Sequence, residues 1–142
     1  MLLIAVAYLR NRLVYSIASL LVIMAGLASR RYAEWVPSIL GKYPGDALWT
    51  VLMFCIIGIA LPKASPFRVF TLAVLVSFAV EFAQLIRWKW LVALRKTTLG
   101  HLALGSTFGI RDLFAYLAGG LVALVSELSY LKLGMSQRAE KS

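Results

Sequence analysis

Cysteine and histidine are nearly missing from this sequence. The single cysteine, Cys55, lies inside an apolar run, so no disulfide framework can form within the chain. A lone cysteine in that setting reads as a small packing residue rather than a reactive thiol. His101 is also alone, and a zinc site built from histidine and cysteine is not available. No metal and no cofactor is expected. Acidic residues are scarce too: six Asp and Glu stand against 15 Lys and Arg, for a formal charge of +9. In a soluble chain that balance would point to nucleic acid. Here the cations flank apolar runs, so anionic lipid headgroups are the simpler partner and no nucleic-acid partner is expected. A nucleophile elbow and a phosphate-binding loop are also absent, which removes two common enzyme signatures.

What the sequence has in excess is apolar length. Hydrophobic residues make up 61% of the 142, against roughly 45–50% in average soluble domains. They fall in long runs, which argues for one all-α, polytopic membrane domain over residues 1–142, a four-helix transmembrane bundle. Met1 to Leu9 is an apolar head too short to span, followed by Arg10, Asn11 and Arg12. The first span is read as 13–29, closed by Arg30 and Arg31; a signal peptide is its rival reading. Pro37, Gly41, Pro44 and Gly45 then break the chain, and Tyr32, Trp35 and Tyr43 suit the headgroup level. The second span is read as 46–61, with Asp46 as its N-cap and Trp49 one turn on. The third is 67–86 and the fourth 112–128, followed by a frayed basic tail.

The third span carries the informative residues. Ala73, Ser77, Glu81 and Gln84 recur at helical spacing and share a face. A carboxylate in a membrane-length run is expensive unless it faces the bundle, so Glu81 is expected to point inward, near the exit. The following connection starts with Arg87 and alternates Trp88, Trp90, Leu91 and Leu94 with Lys89, Arg95 and Lys96, which suits a short interfacial helix. Its second part is rich in Gly and Thr and holds His101; it is too polar to span and is read as an interfacial loop or as a re-entrant turn that dips into the bundle. The fourth span opens with Arg111 and Asp112, and Asp112, Ala115, Gly119 and Ala123 form a small-residue face with Tyr116 beside it.

Four spans put both termini on one side and the first and third connections on the other. Asp46, Glu81 and Asp112 then cluster toward one membrane face together with Arg30, Arg31, Lys42, Arg87, Arg95, Arg111 and His101. Each has a plain structural reading. Asp46 serves as a cap, Asp112 as a cap or a partner of Arg111 or Arg95, and Glu81 as a partner of Gln84 or an Arg. The cations divide seven to eight between the two sides. If Arg95 and Arg111 are committed to carboxylates, the balance favours cytoplasmic termini and a site on the outer face.

Two stretches carry a resemblance: GDALWTVLMF from Gly45, and VEFAQLIRWKWLVALRKTTLGHLALGSTFGIRDLFAYLAGG from Val80. They resemble a family of small uncharacterised bacterial membrane proteins related to the VanZ-like proteins. The shared pattern is a Glu-x-x-Gln pair late in the third span, an Arg in the next loop and an Asp opening the last span, here Glu81, Gln84, Arg95 and Asp112. Asp46, Trp49, Gly100, Leu104, Gly105 and Phe108 extend it. The resemblance implies a multi-pass protein of the bacterial cytoplasmic membrane. VanZ itself is linked to teicoplanin resistance and the cell envelope.

The expected function is the binding of an anionic lipid or a polyprenyl-phosphate carrier, as a monomer or a homo-oligomer. Arg31, Arg87, Arg95 or Arg111 would contact phosphate, and Asp46, Trp49, Glu81, Gln84, His101 and Asp112 would line the site. The alternatives are an enzyme acting on a lipid-linked substrate, with Glu81 as general base, and a purely structural role for the polar cluster.

Overall fold

The structure, a computed structural model, describes residues 9–105 and 107–140. The expected apolar head up to Ala7 and Tyr8, and Lys141 of the basic tail, lie outside the described residues. Among the described residues all regular structure is helical. The elements are α1 (Arg12–Arg31), a 3-10 turn (Ala33–Trp35), α2 (Tyr43–Ala60), α3 (Pro66–Ala83), α4 (Lys89–Arg95), α5 (Thr98–Leu104) and α6 (Ile110–Glu140). Helices α1, α2, α3 and α6 are long and apolar enough to cross a membrane. At 1.5 Å per residue, α2 and α3 with 18 residues each measure about 27 Å, close to the ~30 Å hydrocarbon core.

Local chemistry sets most helix starts. The Asn11 side chain accepts from the amides of Leu13 and Val14 and opens α1. Ser65 does the same for Arg68 at the head of α3. Helix α2 departs from expectation: it starts at Tyr43, Lys42 is the capping position, and Asp46 lies inside the first turn instead of capping it. The reason is Pro44, which in a first turn lacks only an amide that has no intrahelical acceptor anyway. Helix α3 ends at Ala83 rather than Ile86, and turns carry the chain on. Helix α6 runs past Leu128 to Glu140, because the added stretch holds no proline and mostly good helix formers.

The four long helices alternate in direction. The Arg10 amide donates to the Pro62 carbonyl at 3.1 Å, joining the start of α1 to the end of α2. Helices α2 and α6 form the central pair; α1 packs on α2, and α3 packs on both α2 and α6. The core lies where α2, α3 and α6 converge, around Phe54, Val69, Ala73, Ala123 and Leu124. Within it Thr50 Oγ1 donates to Ser77 Oγ at 3.0 Å and ties α2 to α3. Leu20, Leu21, Leu75, Phe114 and Val125 are exposed, as side chains facing lipid are.

The connection after α3 folds into two short helices. Helix α4 is the expected amphipathic piece: Leu91 and Arg95 are buried, while Trp88, Trp90 and Leu94 are exposed. The Gly-rich part that follows is a helix, α5, rather than a re-entrant turn. Thr97 caps it, its Oγ1 accepting from the Gly100 amide at 3.0 Å, and Gly105 ends it at φ 63°. Helix α5 lies beside the polar end of the bundle and forms one wall of its cavity.

Candidate functional site

The end of the bundle where α2 starts, α3 stops and α6 starts holds a cavity of about 480 Å³. Glu81, in the last turn of α3, sits at its inner wall with 0% exposure. One carboxylate oxygen, Oε1, accepts from the Gly109 amide at 2.6 Å. The other, Oε2, accepts from Gln84 Nε2 at 3.0 Å and from the Tyr116 hydroxyl at 2.8 Å. One carboxylate thus ties α3 to the segment before α6 and to α6 itself. Hydrogen bonds to a charged acceptor are the strong ones, so this is a rigid joint.

Asp112 is the second buried carboxylate of the cavity. Its partner is Lys42, whose Nζ donates to Oδ2, rather than Arg95 or Arg111. Burial pulls the Lys42 ammonium down, but the bond to Asp112 outweighs it and its pKa lies above the usual lysine value. The pair bridges the residue before α2 to the first turn of α6.

The third carboxylate, Asp46, is not saturated. Its Oδ2 is buried and has no hydrogen-bond partner among the described residues; the same holds for Trp49 Nε1 and Gln84 Oε1. All three residues line the cavity. Gln84 is only 9% exposed, and its amide nitrogen is already held by Glu81. Gly105 makes room for it: a Cβ there would lie 2.6 Å from Gln84 Nε2, on a left-handed backbone that other residues rarely adopt.

The expected cations divide. Arg30, Lys42 and His101 line the cavity. Arg95 does not: its Nη1 donates to the Ile86 carbonyl at 3.0 Å and its Nη2 to the Ala83 carbonyl, so it satisfies carbonyls released where α3 ends. With Arg87, Gln84, Val92 and Lys96 it lines a separate cavity of about 260 Å³. Arg31 and Arg111 are exposed and line neither. Among the described residues no three of His, Cys, Asp and Glu are grouped to hold a metal ion.

A family model described as "Protein of unknown function (DUF2809)" matches residues 35–120. The chain belongs to that family. No solved structure matches it. The stretch shared with the DUF2809 family contains Lys42, Asp46, Trp49, Glu81, Gln84, His101, Asp112 and Tyr116, so nearly the whole cavity lies within it.

A second polar cluster lies at the opposite end of the bundle, outside that stretch. Arg10 is 1% exposed and Glu127 5%. Arg10 Nε donates to Glu127 Oε1 at 2.6 Å and Nη2 to Oε2 at 3.0 Å, a two-pronged pair. The Tyr15 hydroxyl adds a bond to Oε1 at 2.6 Å, and Arg10 Nη1 donates to the Leu61 and Ala64 carbonyls. Sequence reasoning missed this cluster, treating Arg10 as a flanking cation. The available signal was the spacing Gly119, Ala123, Glu127, which keeps Glu127 on the inward face of α6. Lys42 was placed at this face but not as the partner of Asp112, and Tyr116 was not singled out as a member of the site; each reaches its carboxylate from another element.

Proposed function

We propose that this protein binds the polar headgroup of a membrane lipid or lipid-linked carrier in the cavity at the α2–α3–α6 end. One observation carries the reading: Asp46, Gln84 and Trp49 line one cavity, and Asp46 Oδ2, Gln84 Oε1 and Trp49 Nε1 are buried without a partner among the described residues. A buried polar atom left unpaired costs about 1–3 kcal/mol, so three in one place favour a ligand that supplies their partners. Two are acceptors and one is a donor. Hydroxyl groups of a headgroup would donate to Asp46 and Gln84. A phosphate oxygen would accept from Trp49 and meet Arg30, a cavity cation that makes no ion pair within 4 Å among the described residues.

Anionic phospholipids with hydroxylated headgroups and sugar-bearing polyprenyl-phosphate carriers both offer this chemistry. The resemblance of Glu81, Gln84, Arg95 and Asp112 to the VanZ-like pattern adds a role in the bacterial cell envelope. With cytoplasmic termini, the cavity would open on the outer face of the cytoplasmic membrane. The enzyme reading gains little from Glu81, because three of its roughly four acceptor positions are already taken by protein donors.

The test is Trp49→Phe, which removes the unpaired donor and keeps the ring. In detergent without added lipid the variant should unfold at the same temperature as wild type or higher, since a buried unpaired group has gone. Lipid co-purified with the protein, measured as bound phosphorus, should fall at least several-fold. Equal bound phosphorus in wild type and variant would rule out the headgroup reading.

A further inference from the structure

The polar cavity does not end at its polar wall. A second cavity of about 280 Å³ adjoins it. The two share Arg30, Gly45, Trp49, Leu102 and Ala103, so they meet along one seam. The second is a trough between α1 and α2, walled by Val22, Ile23, Leu27, Leu48, Leu52 and Leu99. On α1 its residues follow a single helical face that climbs from Val22 to Arg30, about 12 Å at 1.5 Å per residue. Apolar walls therefore lead directly to a guanidinium, an indole N–H and two unpaired acceptors.

We infer that the polar cavity opens sideways through this trough, and that the ligand is a phospholipid with a hydroxyl-bearing headgroup whose chain lies between α1 and α2. The inference deepens the headgroup reading and rests on it. The change of character along the seam is what an amphiphile requires. Its phosphate sits at Arg30 and Trp49, its headgroup hydroxyls reach Asp46 and Gln84, and the first part of a chain lies on Leu48, Leu52 and Leu27. A water-soluble phosphate ester would use the polar half alone and leave the trough without a purpose.

Gly26 gives a selective test. It lines the trough, and a Cβ built there meets nothing within 4 Å, so the position has open space in which a larger side chain can start. Gly26→Phe, Trp49→Phe and wild type would each be titrated in detergent with phosphatidylglycerol and with glycerol 3-phosphate, and binding read by native mass spectrometry. Wild type should bind phosphatidylglycerol at least ten-fold more tightly than glycerol 3-phosphate. Gly26→Phe should weaken the lipid at least ten-fold and leave glycerol 3-phosphate unchanged, while Trp49→Phe weakens both. Lipid binding by Gly26→Phe equal to wild type would overturn the trough while leaving the headgroup site standing. Equal affinity of wild type for the two probes would do the same. Lipid binding unaffected by Trp49→Phe, or no binding of either probe, would overturn the headgroup site and the trough together.

Discussion

Glu81 and Trp49 line the same cavity, yet substitution at each should move stability in opposite directions. Glu81 has both oxygens engaged, and Tyr116 supplies one of the three donors. Tyr116→Phe keeps the ring and deletes a hydrogen bond to a charged group, a loss of about 1.5–3 kcal/mol. Its thermal unfolding in detergent should be clearly lower than wild type, whereas Trp49→Phe should hold or gain. Part of this was legible in the residues. Glu81 and Gln84 are three apart on one helix, so their bond follows from spacing alone. Tyr116 is 35 positions from Glu81, and Lys42 is 70 from Asp112; only the packing of α2, α3 and α6 chooses those partners. Arg95 shows a further reason why sequence falls short. Its best acceptors are backbone carbonyls at the end of α3, and no side-chain pattern announces them.

At the scale of elements, the α2–α6 contact positions everything at the polar end. It depends on Gly119, where an added Cβ would strike the Ala47 carbonyl on the facing helix. Ala47 directly follows Asp46, so any widening of this contact moves Asp46 away from the cavity residues of α6, Asp112 and Tyr116. Helix propensity favours Gly119→Ala by up to about 1 kcal/mol. The clash is with backbone, which cannot rotate aside, and overpacking of that kind costs about 1–3 kcal/mol. The variant should therefore be destabilised in thermal unfolding and retain less lipid. Gly134→Ala is the matched control: nothing lies within 4 Å of its Cβ position, so propensity alone acts and stability should hold or rise slightly. The small-residue face of α6 and the four apolar runs made this architecture readable from sequence. The start of α2 did not read correctly, because Pro44 and Gly45 mark a break in general but fit inside a first turn. Helix α5 was missed for a related reason. Its glycines suggest a loop, yet Thr97 caps it, and Gly100 permits close approach to the Leu94 carbonyl.

Across the whole molecule, the buried charged side chains among the described residues gather at two ends with different degrees of satisfaction. At the α2–α3–α6 end, three buried polar atoms of cavity-lining residues lack partners among the described residues. At the other, Arg10 and Glu127 are paired through two bonds and supported by Tyr15 and the carbonyls after α2. The contrast assigns binding to one end and fastening to the other, since a saturated cluster has little left to offer a ligand. Arg10 precedes α1, and α1 makes its main helix contacts with α2 alone. The ion pair, together with the Tyr15 hydroxyl on Glu127, thus joins α1 to α6 and sets the position of α1 beside the trough. Removing one partner of a buried pair typically costs about 3–5 kcal/mol, whereas replacing both with apolar residues is far cheaper. Glu127→Gln or Arg10→Met alone should lower thermal stability strongly. The double variant Arg10→Met, Glu127→Leu should recover most of the loss, because no uncompensated charge is left buried. If the pair merely fastens, the recovered double variant should also retain lipid like wild type. A double variant that recovers its stability but loses lipid would mean that this end acts on the trough through the placement of α1, and that the division between binding and fastening is wrong.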